Sequence, residues 1–209
     1  MTLITKLYTQ LLAPYQVLIE YPSFTTSPVV AEYVKGFVKH ANTLLPKSYI
    51  DRCIKIMIVD PDLQNTNNYV HGGVCIQPTP ELFRTMAILV KHAGDCAIPI
   101  FKNLGPSTVE MNGLWLHNSF TRLHRVGIWL AIFEHISKGT GNIVVSYDVS
   151  NRGLDSFYTR FFKHTLYKGL VPCIEGMDES QEHAERVCWA TINELEDALV
   201  PYAVDLLRR

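Results

Sequence analysis

The stretch richest in chemistry runs from Val109 to Trp129. A strand-like run, Val109-Glu-Met-Asn-Gly-Leu-Trp-Leu-His117, passes through Asn-Ser-Phe-Thr into Arg122-Leu-His-Arg-Val-Gly127 and then a strongly apolar helical stretch. A strand-turn-helix junction aims unpaired helix N–H groups, with the positive end of the helix dipole, at whatever lies in front of it. Arg122 and Arg125 add two fixed charges at the same place, and Gly127 would let a ligand or another backbone approach closely. The chemistry that fits is anion binding, typically of a phosphate. His117 and His124 flank the turn, where an imidazole could touch phosphate or relay a proton. The eight histidines show no HxH or HExxH spacing, so no metal site is expected.

These residues need elements to hold them. From Ser107 the chain reads as strand 109–117, a turn, helix 126–138, Gly139-Thr-Gly141, strand 142–149 and helix 152–165, a β-α-β-α series. Ahead of it lie a helix over 3–13, a strand from Val17 to Tyr21 ended by Pro22, and a helix from Pro28 towards Pro46. That helix carries Val30, Tyr33, Val34, Phe37, Val38 and Ala41 at helical spacing. The runs 53–60 and 70–76 read as a hairpin across the polar tract 64–68. A helix over 81–92 is followed by a Gly/Pro-interrupted segment, so 80–106 reads as an insertion. After a short strand over 170–174, the residues Ala184, Val187, Cys188, Thr191, Ile192, Leu195, Ala198 and Leu199 form an apolar stripe that predicts a long amphipathic helix over 178–199. Pro201 should kink or end it. The stripe would be buried on the chain's own sheet or across a homodimer.

The expected fold is a single α/β domain over residues 1–209, with a mixed central sheet flanked by helices. With 47% hydrophobic and 19% charged residues in 209, the chain can bury a sizeable core. Nineteen Lys and Arg against 20 Asp and Glu leave a net charge of −1, which supplies no general field for nucleic acid. No apolar run approaches the roughly 20 residues that cross a bilayer. The opening MTLITKLYTQLLAPYQ lacks a signal-peptide pattern, and Cys53, Cys75, Cys96, Cys173 and Cys188 contain no CxxC pair. A mature chain in a reducing, cytoplasmic compartment is expected.

Residues 107–165, about a quarter of the chain, resemble the central signature of the GNAT superfamily of acyl-CoA-dependent N-acyltransferases. That signature is a strand, an Arg/Gln-x-x-Gly-x-Gly/Ala turn, a helix, a second strand ending near Asn, and a helix carrying a Tyr. Arg122 and Gly127 match the ends of the turn, and Asn151 and Tyr158, seven residues apart, match the Asn and Tyr. Arg125 stands where the family has its first glycine, Tyr158 is not followed by Gly-Phe, and one short strand with a long helix is expected where the family has two further strands.

The resemblance implies a function and a set of roles. The activity would be transfer of an acyl group, most simply acetyl from acetyl-CoA, to the amine of a small molecule or protein; a non-catalytic acyl-CoA-binding or protein-interaction member of the fold is the alternative. Arg122, Leu123, His124, Arg125, Val126, Gly127 and Ile128 would hold the pyrophosphate. Leu114, Trp115 and Leu116 would offer backbone to the pantetheine arm and to the developing oxyanion, with Asn151 also at the donor site. Glu110 would be the base for the amine, and Tyr158 the proton donor to the leaving thiolate.

Overall fold

The computed structural model describes residues 2–41, 44–63, 69–93, 103–150, 152–171 and 183–208. Its elements are α1 (Leu3–Leu12), β1 (Gln16–Glu20), α2 (Pro28–Ala41), the short α3 (Lys47–Ile50), β2 (Ile54–Val59), β3 (Val70–Gln77), α4 (Arg84–Ala93), β4 (Thr108–Leu116), α5 (Arg122–Ile136), β5 (Asn142–Asp148), α6 (Arg152–Phe161), β6 (His164–Val171), β7 (His183–Thr191) and α7 (Ile192–Leu207). The strands form one seven-stranded sheet in the order β1-β2-β3-β4-β5-β7-β6. Every neighbouring pair is antiparallel except β4 with β5, which α5 joins as a crossover.

Two layers of helix cover the sheet. On one face, α1, α5, α6 and α7 share a core that includes Leu11, Leu12, Ile128, Ile132, Tyr158, Phe161, Leu195 and Leu199. The apolar run Val126–Phe133 is buried all round, as a helix packed on several sides must be. On the other face, α2 and α3 pack Tyr33, Phe37, Tyr49 and Ile50 against Met57, Cys75 and Trp115. Beside them Phe83 and Leu89 cover Val144 and Val187, so the described part of 80–106 closes the second face of the sheet. Residues 94–102 lie outside the described residues.

Three boundaries differ from the sequence reading. Helix α5 begins at Arg122 rather than 126, because Thr121 caps it: its Oγ1 accepts from the His124 N–H while its own N–H donates to His124 Nδ1. Helix α6 ends at Phe161, and His164–Val171 forms the strand expected at 170–174. The expected 178–199 helix is two elements. His183–Thr191 is a strand between β5 and β6, and the helix runs from Ile192 to Leu207. The stripe's period crosses that boundary by coincidence, since Val187 and Cys188 are neighbours buried on opposite faces of a strand covered on both sides. Pro201 neither ends nor interrupts α7; it is exposed, as is Asp197 one turn earlier, so the carbonyl it leaves unpaired faces water.

Gly127 serves the packing of α5 on α1. A Cβ there would sit 2.9 Å from Leu11 Cβ and Leu12 Cγ. Gly127→Ala should therefore cost ~1–3 kcal/mol as an overpacked contact. Thermal melting should fall by ~2–4 °C per kcal/mol lost, with ligand affinity at the cleft described below unchanged.

Candidate functional site

The sheet opens between its two parallel strands. Pairing of β4 with β5 stops at Met111 and Val145, after which β4 continues to Leu116 bonded to β3 while β5 continues to Asp148 bonded to β7. The cause is local. Between Gly73↔Trp115 and Cys75↔Asn112 the register shifts by one residue, and Gly113 in this bulge takes φ +67°, which favours glycine. Tyr33 Oη donates to the Gly113 carbonyl at 2.7 Å, the Gly113 N–H donates to Asn112 Oδ1 at 2.7 Å, and Trp115 Nε1 donates to the Tyr33 carbonyl at 3.0 Å. Helix α2 thus holds β4 bent away from β5, and Leu114 to Leu116 keep main-chain groups without a strand partner on the β5 side.

A cleft of about 770 Å³ lies over this split on the α5 face. Leu114, Leu116, Phe120, Val126, Trp129, Leu154 and Phe157 make its apolar wall; Arg122, Arg125, Arg160, Ser156, Tyr158 and Tyr202 are its polar lining. Among the described residues no acidic one lines it, and three guanidinium groups set its charge. Arg122 Nε donates to Tyr202 Oη at 2.6 Å, and the guanidinium groups of Arg122 and Arg160 lie 5.2 and 4.5 Å from the Tyr202 ring centre. This arrangement, from α5, α6 and α7, fixes two of the three cations at the helix N-terminus.

Tyr158 is buried, stacked on Tyr147 with ring centres 4.6 Å apart and edge-on to Trp129 at 5.7 Å. Burial pushes its phenol well above the ordinary value, so it is protonated at neutral pH. His124 is committed to the α5 cap and packs against Tyr15 and Phe120; burial lowers its pKa, which keeps Nδ1 free to accept the Thr121 N–H.

Of the residues singled out from the sequence, Leu114, Leu116, Arg122, Arg125, Val126 and Tyr158 meet at the cleft. The side chain of Trp115 packs on the α2 face, Leu123 is partly exposed, and Ile128 is in the core, so these three can offer the cleft only backbone. Gly127 faces α1. Asn151 lies outside the described residues. Glu110 is fully buried on the α4 face, where its carboxylate accepts from Tyr49 Oη at 2.6 Å, from the Arg84 N–H at 3.0 Å and from the Thr85 N–H at 2.7 Å. It caps α4 from the paired half of β4, and is not part of the cleft lining. Arg160 and Tyr202 were not anticipated. Tyr202 in particular sits on a helix whose start the sequence reading had placed more than a dozen residues too early.

No protein-family model matches the sequence, and no curated protein is significantly similar to it. Solved structures are similar in fold. They include FeeM, an N-acyl amino acid synthase from uncultured soil microbes, with a TM-score of 0.55 at 7% identity over 90% of this chain and 97% of that one. The AHL synthase LasI gives 0.54 at 12% identity over 90% and 95%. A probable acetyltransferase from Staphylococcus epidermidis gives 0.51 at 8% identity over 84% and 99%. Over 84–90% of its length the chain shares the fold of these proteins, and that fold is GNAT-like, an α/β fold with a mixed seven-stranded sheet flanked by helices.

Proposed function

We propose that the protein is an acyl-CoA-dependent N-acyltransferase, most simply one that transfers acetyl from acetyl-CoA to an amine by direct attack on the thioester. The observation that carries this reading is the split between β4 and β5 opening beneath Arg122 and Arg125 at the N-terminus of α5 and Arg160 from α6. The cationic end suits a pyrophosphate, and the apolar remainder suits a pantetheine arm lying against the free edge of Leu114–Leu116. Backbone N–H groups on that edge would stabilise the oxyanion without reorganisation, because the bulge is already held by Tyr33 and Asn112. Tyr158, protonated and at the cleft wall, would hand its proton to the departing sulfur. The acceptor is the amine of a small molecule or of a protein, and nothing in the cleft calls for nucleic acid.

Arg125 supplies the test of donor binding. Arg125→Glu places a negative charge where the pyrophosphate would sit and removes a charge-assisted hydrogen bond worth ~1.5–3 kcal/mol. Calorimetry with CoA should show affinity falling by at least tenfold with the melting temperature unchanged. Folded wild-type protein that binds no CoA would end the acyltransferase reading.

A further inference from the structure

The face of the split opposite the arginines has the reverse character. In β5 and β7, directly paired residues share a face, so Val144, Ser146 and Asp148 lie on the same side as Trp189, Val187 and Glu185. Val144 and Val187 pack under α4, which makes this the α4 face. Glu110, paired with Val144, is on it too. On the side away from the arginine-lined cleft, Glu110 and Asp148 thus lie on the two strands that border the split, and Glu185 lies one strand further, paired with Asp148.

Glu185 stands apart among them. It is 6% exposed, and its Oε2 has no hydrogen-bond partner among the described residues. It pairs with Asp148, in the length of β5 that has already parted from β4. A buried carboxylate oxygen without a partner is costly, and folded proteins leave few such atoms unless a ligand, water or reacting group meets them. Glu110 differs in this respect, since both its oxygens are taken by α4 and Tyr49. Among the described residues, the charged and polar groups around Glu185 are Arg84 from α4, Asp148 and the Ser146 hydroxyl from β5, and, over Gly169 opposite it on β6, the Tyr167 hydroxyl, which donates to the Leu170 carbonyl. Burial outweighs the Arg84 charge and pushes the Glu185 carboxyl up to about 7, within the range where a carboxylate takes a proton effectively at neutral pH.

We propose that the acceptor is an amine entering from the α4 face, and that Glu185 takes its proton, directly or through one water, as the nitrogen attacks the thioester held in the split. The inference rests on the acyltransferase reading above. Glu185 takes one proton from the entering ammonium and so frees the nitrogen lone pair; the C–N bond then forms as the C–S bond breaks, the sulfur leaves with the Tyr158 proton, the second proton shed by the nitrogen goes to solvent, and exchange with solvent restores Glu185 and Tyr158.

The experiment compares wild type with Glu185→Gln, using acetyl-CoA and three amines: a polyamine, a lysine-containing peptide and an amino-acid ester. In wild type, kcat/KM for the amine should rise with pH through about 7 as Glu185 ionises. In the variant this limb should vanish and the rate at pH 7 should fall by ~100-fold. The rate should then recover only at higher pH, where the free amine forms in solution. CoA affinity by calorimetry should not change. If Glu185→Gln does not fold, Glu185→Asp keeps the charge and should retain the pH limb at a reduced rate; loss of that limb in Glu185→Asp would count against the proposal. Equal rates and equal pH profiles in wild type and Glu185→Gln would overturn the assignment of Glu185 alone. Wild type that binds CoA and acylates none of the three amines would overturn the amine class. Absence of CoA binding would remove the acyltransferase reading and this proposal with it.

Discussion

Tyr158→Phe is expected to lower kcat by ~10²–10⁴ while CoA affinity and melting temperature barely move. The substitution removes one oxygen and keeps the ring that stacks on Tyr147, meets Trp129 edge-on and packs at a tilt against Phe162. Packing is therefore conserved and only proton donation is lost. Because burial raises the phenol's pKa, Tyr158 stays protonated across the neutral range, and its removal should scale the rate without adding or deleting a limb of the pH profile. That separates it from Glu185, whose loss changes the shape of the profile. If Tyr158 only packs the core, the Phe variant turns over normally, and the thiolate must leave unaided or with a proton from water. Slow acetyl-CoA hydrolysis can serve as the first assay until an acceptor is in hand.

The β-α-β-α series around the cleft was legible because its runs are long, apolar and punctuated by Gly139-Thr-Gly141 and Ser150. The β2–β3 hairpin and the Pro28 helix start were legible for the same reason. The split was not. It depends on one extra residue in β4 and on a hydrogen bond from Tyr33, eighty positions earlier, to the Gly113 carbonyl. Nothing in the local pattern announces a contact of that range. The boundary at Thr191 did have a signal, since Thr191-Ile-Asn-Glu194 is a capping box: Thr191 Oγ1 accepts from the Glu194 N–H, and Glu194 Oε2 accepts from the Thr191 N–H. Read there, the helix starts at Ile192, β7 is released as a strand, and the two further strands expected of the fold are both present. Glu110 and Glu185 show the limit from the other side. Both are glutamates in apolar strands, and only the packing of α4 decides that one is spent as a helix cap while the other keeps an unpaired oxygen.

The placement of α7 leads to the largest stability effect. Leu195 is 1% exposed and faces the core shared with α5, in line with Leu199 and Ala203. The apolar residues of α7, expected to be buried on the chain's own sheet or across a homodimer, are covered within one chain. Leu195→Asp would bury a carboxylate with no partner, at a cost of several kcal/mol against a total stability of about 5–15 kcal/mol. The variant should melt at least ~10 °C below wild type or fail to fold. Leu195→Ala, which leaves a cavity instead of a charge, should lose ~2–5 kcal/mol and remain folded enough to assay. In that variant CoA affinity should fall as well, because α7 carries the Tyr202 hydroxyl that holds Arg122 at the mouth of the cleft. A melting temperature unchanged in Leu195→Asp would show that α7 does not close the core. Lowered stability with CoA affinity intact in Leu195→Ala would show instead that Arg122 and Arg125 bind the donor without support from Tyr202.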